Sequence, residues 1–119
     1  MMLVDTSVWI DHLRSRNSAL VTLLEAEQVC THPFIIGELA CGNLANRREV
    51  LSALQALPQV HTVGHEEVLD FVSARKLAGR GLGWVDAHLL ASALVDRLDF
   101  WTLDRRLATV AGELRLESI

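Results

Sequence analysis

Residues 1–10 read MMLVDTSVWI. Met2–Val4 is a short apolar run, Asp5 ends it, and Thr6 and Ser7 follow at once. An acid at the end of a buried strand either caps the next helix or belongs to a site. The rest of the chain decides which, because in parallel α/β sheets sites lie beyond the carboxyl ends of the strands.

Working outward, strand and helix patterns alternate. Ser7–Arg14 reads as a helix capped by Thr6 or Ser7, and Ser18–Glu27 as a helix with the apolar stripe Ala19, Leu20, Leu23, Leu24 and Ala26. Gln28–Cys30 is a short strand. Thr31 is expected to cap a helix that has Pro33 in its first turn and runs to Cys41. Asn46–Ala56 reads as a helix stopped before Pro58, Gln59–Val63 as a strand and Gly64–Leu77 as a helix. After the loop Gly79-Arg80-Gly81-Leu82-Gly83 comes Trp84–Arg97, the longest apolar-periodic helix. Asp99–Thr102 is a strand, Asp104–Ala111 a short helix and Leu114–Glu117 a last strand. The pattern predicts one α/β domain over residues 1–119: an α/β/α sandwich whose central, mostly parallel sheet has four to five short strands flanked by helices.

Composition narrows the function classes. The 119 residues suffice for one core and are 50% hydrophobic, yet no apolar run approaches the roughly 18 residues of a membrane span. The apolar excess points to a partner or a second copy of the chain. No basic segment followed by a long apolar stretch opens the chain, so a signal peptide is not expected and a cytoplasmic location is. Cys30 and Cys41 form no CxxC pair, which disfavours a disulfide framework or a zinc site. The net charge of −4 argues against a broad nucleic-acid-binding face but leaves room for local contacts. Lys76 is the only lysine; the other bases are arginines, whose forks suit phosphate.

Three further acids join Asp5. Glu38 has Phe34, Ile35 and Cys41 as helical neighbours; Asp86 has Leu89, Leu90 and Ala93. Both are therefore expected to face inward, where an isolated carboxylate is costly without donors or a cation. Asp104 follows Phe100 and Trp101 and opens a helix, where a capping role is strong. If the strands are parallel, Asp5, Asp86 and Asp104 share one edge of the sheet, and Glu38 can join them. Clustered carboxylates repel unless a divalent cation sits among them. Oxygen ligands suit Mg2+ or Mn2+ rather than Zn2+, and such ions hold phosphate oxygens and activate water for in-line displacement.

Four stretches carry a resemblance: LVDTSVWIDHLR (3–14), IIGELACG (35–42), GLGWVDAHLLASAL (81–94) and LDFWTLDRRL (98–107). In order and spacing they resemble the PIN-domain fold, specifically the VapC-type toxin ribonucleases of bacterial toxin–antitoxin pairs. The resemblance implies a metal-dependent endoribonuclease that cuts single-stranded regions of RNA and leaves a 5′-phosphate and a 3′-hydroxyl. Asp5, Glu38, Asp86 and Asp104 fall on the family's acidic positions and would bind Mg2+ or Mn2+. Thr6, Ser7 and Thr102 match its small hydroxyl positions. A cognate VapB-like antitoxin and a toxin homodimer are also implied, with DNA contact only through the antitoxin. A further acid near the family's last motif finds only Asp99, and the chain is short around Asn43–Pro58.

Other readings fit less well. A haloacid-dehalogenase-type phosphotransferase would want DxD where DTS stands, and a response-regulator receiver would want paired early acids and a late lysine. A PIN-like scaffold that binds protein or RNA without cutting would be marked by a missing acid, and all four are present. The Gly79–Gly83 loop lacks a P-loop lysine and reads as a connection. Cys30-x-His32 has no second metal-like pair. His61 and His65 would be neighbours only on a helix, which Gly64 argues against. His88, two residues from Asp86, is expected to meet solvent or a partner. Trp9, Trp84 and Trp101 read as core or interface rather than base-stacking platforms. Arg105 and Arg106, directly after Asp104, are the candidates for RNA-backbone contact.

Overall fold

The computed structural model describes residues 1–119. Its elements in chain order are β1 (Met2–Val4), α1 (Thr6–Ser15), α2 (Ser18–Glu25), β2 (Val29–Cys30), α3 (Pro33–Ala40), α4 (Arg47–Ala56), α5 (His65–Ala74), α6 (Trp84–Val95), β3 (Asp99–Trp101) and α7 (Arg105–Glu113). The strands form one parallel sheet in the order β2-β1-β3. Leu3 pairs with Cys30 on one side and Phe100 on the other. This is the expected α/β arrangement, a parallel sheet flanked by helices.

The sheet is narrower than the four to five strands expected. Gln59–Val63 contributes a single bridge, Thr31 with Gln59, closed by Thr31 N to Pro58 O and Val60 N to Thr31 O, each 2.9 Å. Only Val60 of that segment is buried, so nothing holds the following residues against β2. Leu114–Glu117 is not a strand either. Phe100 N donates to Glu117 O at 2.8 Å, but Arg115 stands at φ 63°, outside extended geometry.

Helices α2, α5 and α6 end sooner than the apolar pattern suggests, whereas α7 runs past the expected Ala111 to Glu113. Just past α2, α5, α6 and α7 stand Glu27, Lys76, Arg97 and Arg115, all at positive φ between 53° and 63°. After each, the next residue donates back into the last turn, as Leu77 N does to Val72 O at 3.0 Å and Leu98 N to Ala93 O at 2.8 Å. This closure usually uses glycine, so a non-glycine at that point leaves no stop signal in the sequence.

The core gathers Leu3, Val4, Val8, Leu20, Ile35, Leu89, Leu90, Phe100 and Leu107, each 1% exposed or less. It lies around the two sides of β1. Helix α1 packs between α2 and α3, α4 packs on α3, and α6 packs on α5 and β3. Because all three strands run the same way, the segments that follow them, at Asp5, Thr31 and Thr102, open on one edge of the sheet.

Candidate active site

Asp5 caps α1 and anchors a network of side-chain hydrogen bonds. It is the N-cap of α1, a place expected for Thr6 or Ser7. Its side chain is 6% exposed. Its Oδ2 accepts from Ser7 Oγ and Thr102 Oγ1, both at 2.7 Å, and from Ser7 N at 3.4 Å. With their protons given to Asp5, the two hydroxyls take donors in turn. Leu103 N donates to Ser7 Oγ at 2.9 Å, and Asp104 N donates to Thr102 Oγ1 at 3.0 Å. This network ties the end of β1 to the end of β3 and leaves Asp5 Oδ1 without a protein donor.

The other acids repeat that division of labour. Asp104 caps α7, its Oδ1 accepting from Arg106 N at 2.9 Å and Leu107 N at 3.2 Å. Asp86, third in α6, accepts on Oδ2 from Gly83 N at 2.9 Å. Glu38 Oε1 accepts from Thr6 Oγ1 at 2.7 Å. In all four acids, one oxygen is held by the chain and its twin has no protein donor. Three of the four also sit at helix N-termini, where the dipole offsets part of their mutual repulsion.

Burial differs along the cluster. Asp86 is half-buried, and its pKa is raised, chiefly by desolvation. The Gly83 hydrogen bond opposes that rise, and the charges of Asp5, Asp104 and Glu38 add to it. Asp5, Asp104 and Glu38 are thus each within electrostatic reach of Asp86. No three acid, histidine or cysteine side chains, however, close into a tight ligand cage. The two facts agree for like charges that spread apart while staying in one field. An all-oxygen donor set with one free oxygen per acid fits a hard ion such as Mg2+, which keeps several waters and takes few carboxylates directly.

Glu38 is not inward-facing as expected. It is exposed, as is Cys41, while Ile35 and Leu39 form the buried stripe of α3 and Phe34 is 40% exposed. Residues 33–40 read PFIIGELA and are apolar nearly all round, so apolar neighbours could not identify the buried face. Asp104 is exposed on the rim. Asp99 begins β3, at the end of the strand away from the site.

His32, not Thr31, caps α3: its Nδ1 accepts from Phe34 N at 2.9 Å. It is fully buried, and desolvation, with a smaller push from His88, lowers its pKa to about 4. His88 is also buried, contrary to expectation. It packs against Trp84 and Phe34 at ring-centroid distances of 4.6 and 4.8 Å. Trp84 lies one turn before His88 on the same helix face, a spacing that could have signalled the stack. Trp9 and Trp101 are each 6% exposed and belong to the core, while Trp84 is 38% exposed.

Arg105 and Arg106 stand exposed in the first turn of α7. The ion pairs of the chain are His61–Asp96 and Arg80–Glu113, so neither arginine has a carboxylate partner. Beside Glu38 opens a cavity of about 400 Å³, lined by Ile10, Leu13, Arg14 and Leu39 among others. No helix is long and apolar enough to cross a membrane.

Comparison with known proteins gives two results. The PIN domain family matches residues 2–113. Two curated relatives, both named Ribonuclease VapC32, come from Mycobacterium tuberculosis strains CDC 1551 / Oshkosh and ATCC 25618 / H37Rv. Each is 50% identical over 114 residues, covering 95% of this chain and 92% of the relative.

Proposed function

We propose that this chain, which belongs to the PIN-domain family and within it to the VapC type, is a toxin endoribonuclease that hydrolyses phosphodiester bonds in single-stranded regions of RNA. The observation that carries this reading is the set of four acids, Asp5, Glu38, Asp86 and Asp104, each with one oxygen fixed by the chain and one free. A relative named as a ribonuclease over nearly the whole chain supports it.

In this reading Asp5, Glu38, Asp86 and Asp104 would hold Mg2+ or Mn2+. Bound there, such an ion would supply positive charge to the scissile phosphate and acidify the attacking water. The chain does the rest. Thr102 and Ser7 fix Asp5, Thr6 fixes Glu38, and the Gly83 amide fixes Asp86, so the acids are oriented before substrate arrives. The carboxylates also accept the proton that the water gives up as it attacks in line. Arg105 and Arg106 contact the RNA backbone. The products carry a 5′-phosphate and a 3′-hydroxyl.

The partners follow from the same family. A VapB-like antitoxin neutralises the toxin in the cytoplasm, and the pair binds DNA only through the antitoxin. The toxin itself is a homodimer. The apolar groove beside Glu38, with Ile10 and Leu13 each 41% exposed, supports a helix-in-groove partner. The deciding experiment is cleavage of a labelled single-stranded RNA by the purified chain. Cleavage should stop with chelator, return with Mg2+ or Mn2+, and be lost in Asp86→Asn. A chain that binds RNA but never cuts it, with any divalent ion, is the scaffold instead.

A further inference from the structure

The loop before α6 lies along α7. Arg80 forms a two-pronged pair with Glu113, Nη1 to Oε1 at 2.6 Å and Nη2 to Oε2 at 2.7 Å. One residue on, Gly81 meets the side chain of Arg106. Arg106 and Glu113 are seven residues apart and so share one face of the helix, two turns from each other. The loop therefore touches both ends of that face.

The fit at Gly81 is close. A Cβ there would stand 2.9 Å from Arg106 Nη1 and 3.0 Å from its Cδ. Gly81 also has φ +81°, in the left-handed region. The left-handed backbone calls for glycine, and the space above its Cα is taken by the flexible end of the Arg106 side chain. That guanidinium has no carboxylate partner, although Asp104 is two residues away. It also occupies the first turn of α7, where the helix dipole disfavours a cation. An exposed, positioned and unpaired cation at an unfavourable helix end points to a ligand of negative charge.

We propose that Arg106 is a phosphate clamp for the RNA strand and that Gly81 is the positioning residue that seats it beside Asp86 and Asp104. The Arg80–Glu113 pair holds the loop, the bare Cα of Gly81 supports the Arg106 stem, and the guanidinium fork takes the backbone phosphate next to the one being cut. Arg105 adds charge but has no such seat. The inference rests on the RNA-directed reading of the site, and its test does not need cleavage.

Binding of a fluorescent single-stranded RNA is measured by anisotropy in chelator across a salt series, with circular dichroism as a check on folding. Arg106→Gln should weaken binding about tenfold and flatten the slope of log K against log salt by about 0.7. Arg106→Lys should recover part of the affinity and all of the slope. Gly81→Ala should weaken binding about threefold and add nothing when Arg106 is already Gln. With Mn2+ present, the same variants should raise KM more than they lower kcat. The proposal is overturned if Arg106→Gln leaves affinity and slope at the parent values. It is also overturned if Gly81→Ala acts undiminished in the Arg106→Gln chain, or if Arg106→Gln weakens only binding to a protein partner. Wild-type chain that binds RNA with this pattern but does not cut it removes the nuclease reading and keeps the clamp.

Discussion

Thr102 Oγ1 donates to Asp5 Oδ2 at 2.7 Å, joining the end of β3 to the end of β1 across residues 97 apart in sequence. The same hydroxyl accepts from Asp104 N at 3.0 Å, so one threonine orders two acids. Thr102→Val keeps the shape and removes both bonds. It should cost about 1 to 2 kcal/mol in urea unfolding, since Asp5 is buried and loses a donor. RNA cleavage should fall about tenfold, with KM little changed.

Asp86 makes opposite predictions for stability and activity. Its pKa is raised in the fold, so the protonated form is favoured there. That contribution is fully present below the unfolded carboxylate value and is lost as pH rises through the raised folded value. At neutral pH the ionised group therefore strains the fold. Asp86→Asn should raise Tm in chelator at pH 7, and the gap from the parent should close as pH falls toward 4. Cleavage should drop about 100-fold or more. Added Mn2+ should raise the Tm of the parent more than that of the variant.

His32 works in the other direction. It is neutral and buried, with a pKa lowered to about 4 from 6.5. Its contribution to stability is present above the unfolded value and lost as pH falls from 6.5 through about 4. Protonating Nδ1 would also end its cap on Phe34 N. His32→Asn keeps a capping oxygen and does not titrate. Over that window the parent should lose stability relative to this variant, with a slope of up to about 1.4 kcal/mol per pH unit.

The non-glycine residues past the helix ends can be relieved. Lys76 stands at φ 55°, where only glycine is unstrained. Lys76→Gly should stabilise the chain by about 0.5 to 1 kcal/mol in urea unfolding. Gly79→Ala, at φ +76° but with open space around it, should cost about 1 kcal/mol from backbone strain alone.

The positions of Asp5 and Asp104 were readable because each follows a short apolar strand and precedes a helix, and a parallel sheet puts such ends together. Asp86 was readable from its place in the first turn of a long apolar helix. Glu38 is legible as an acid but its face is not, because α3 is apolar on most sides and the helical period loses contrast there. His88 is buried where the sequence points to solvent or a partner, since Phe34 from another helix packs on it together with Trp84. The sheet has fewer strands than the sequence pattern suggests because Gln59–Val63 keeps a single bridge to Thr31 and Leu114–Glu117 leaves extended geometry at Arg115.

The order of elements, the parallel class and the four acids are properties of the sequence, because periodicity, strand-end position and residue type act over a few neighbouring residues. The tertiary structure decided which oxygen of each acid is tied down and which is free. It also decided that Ser7 and Thr102 serve the same carboxylate and that Arg106 rests on Gly81. The ties of Thr6 to Glu38 and of Thr102 to Asp5 depend on side chains tens of residues apart meeting within about 3 Å, the range over which a hydrogen bond acts, whereas those on Asp86 and Asp104 come from nearby backbone amides.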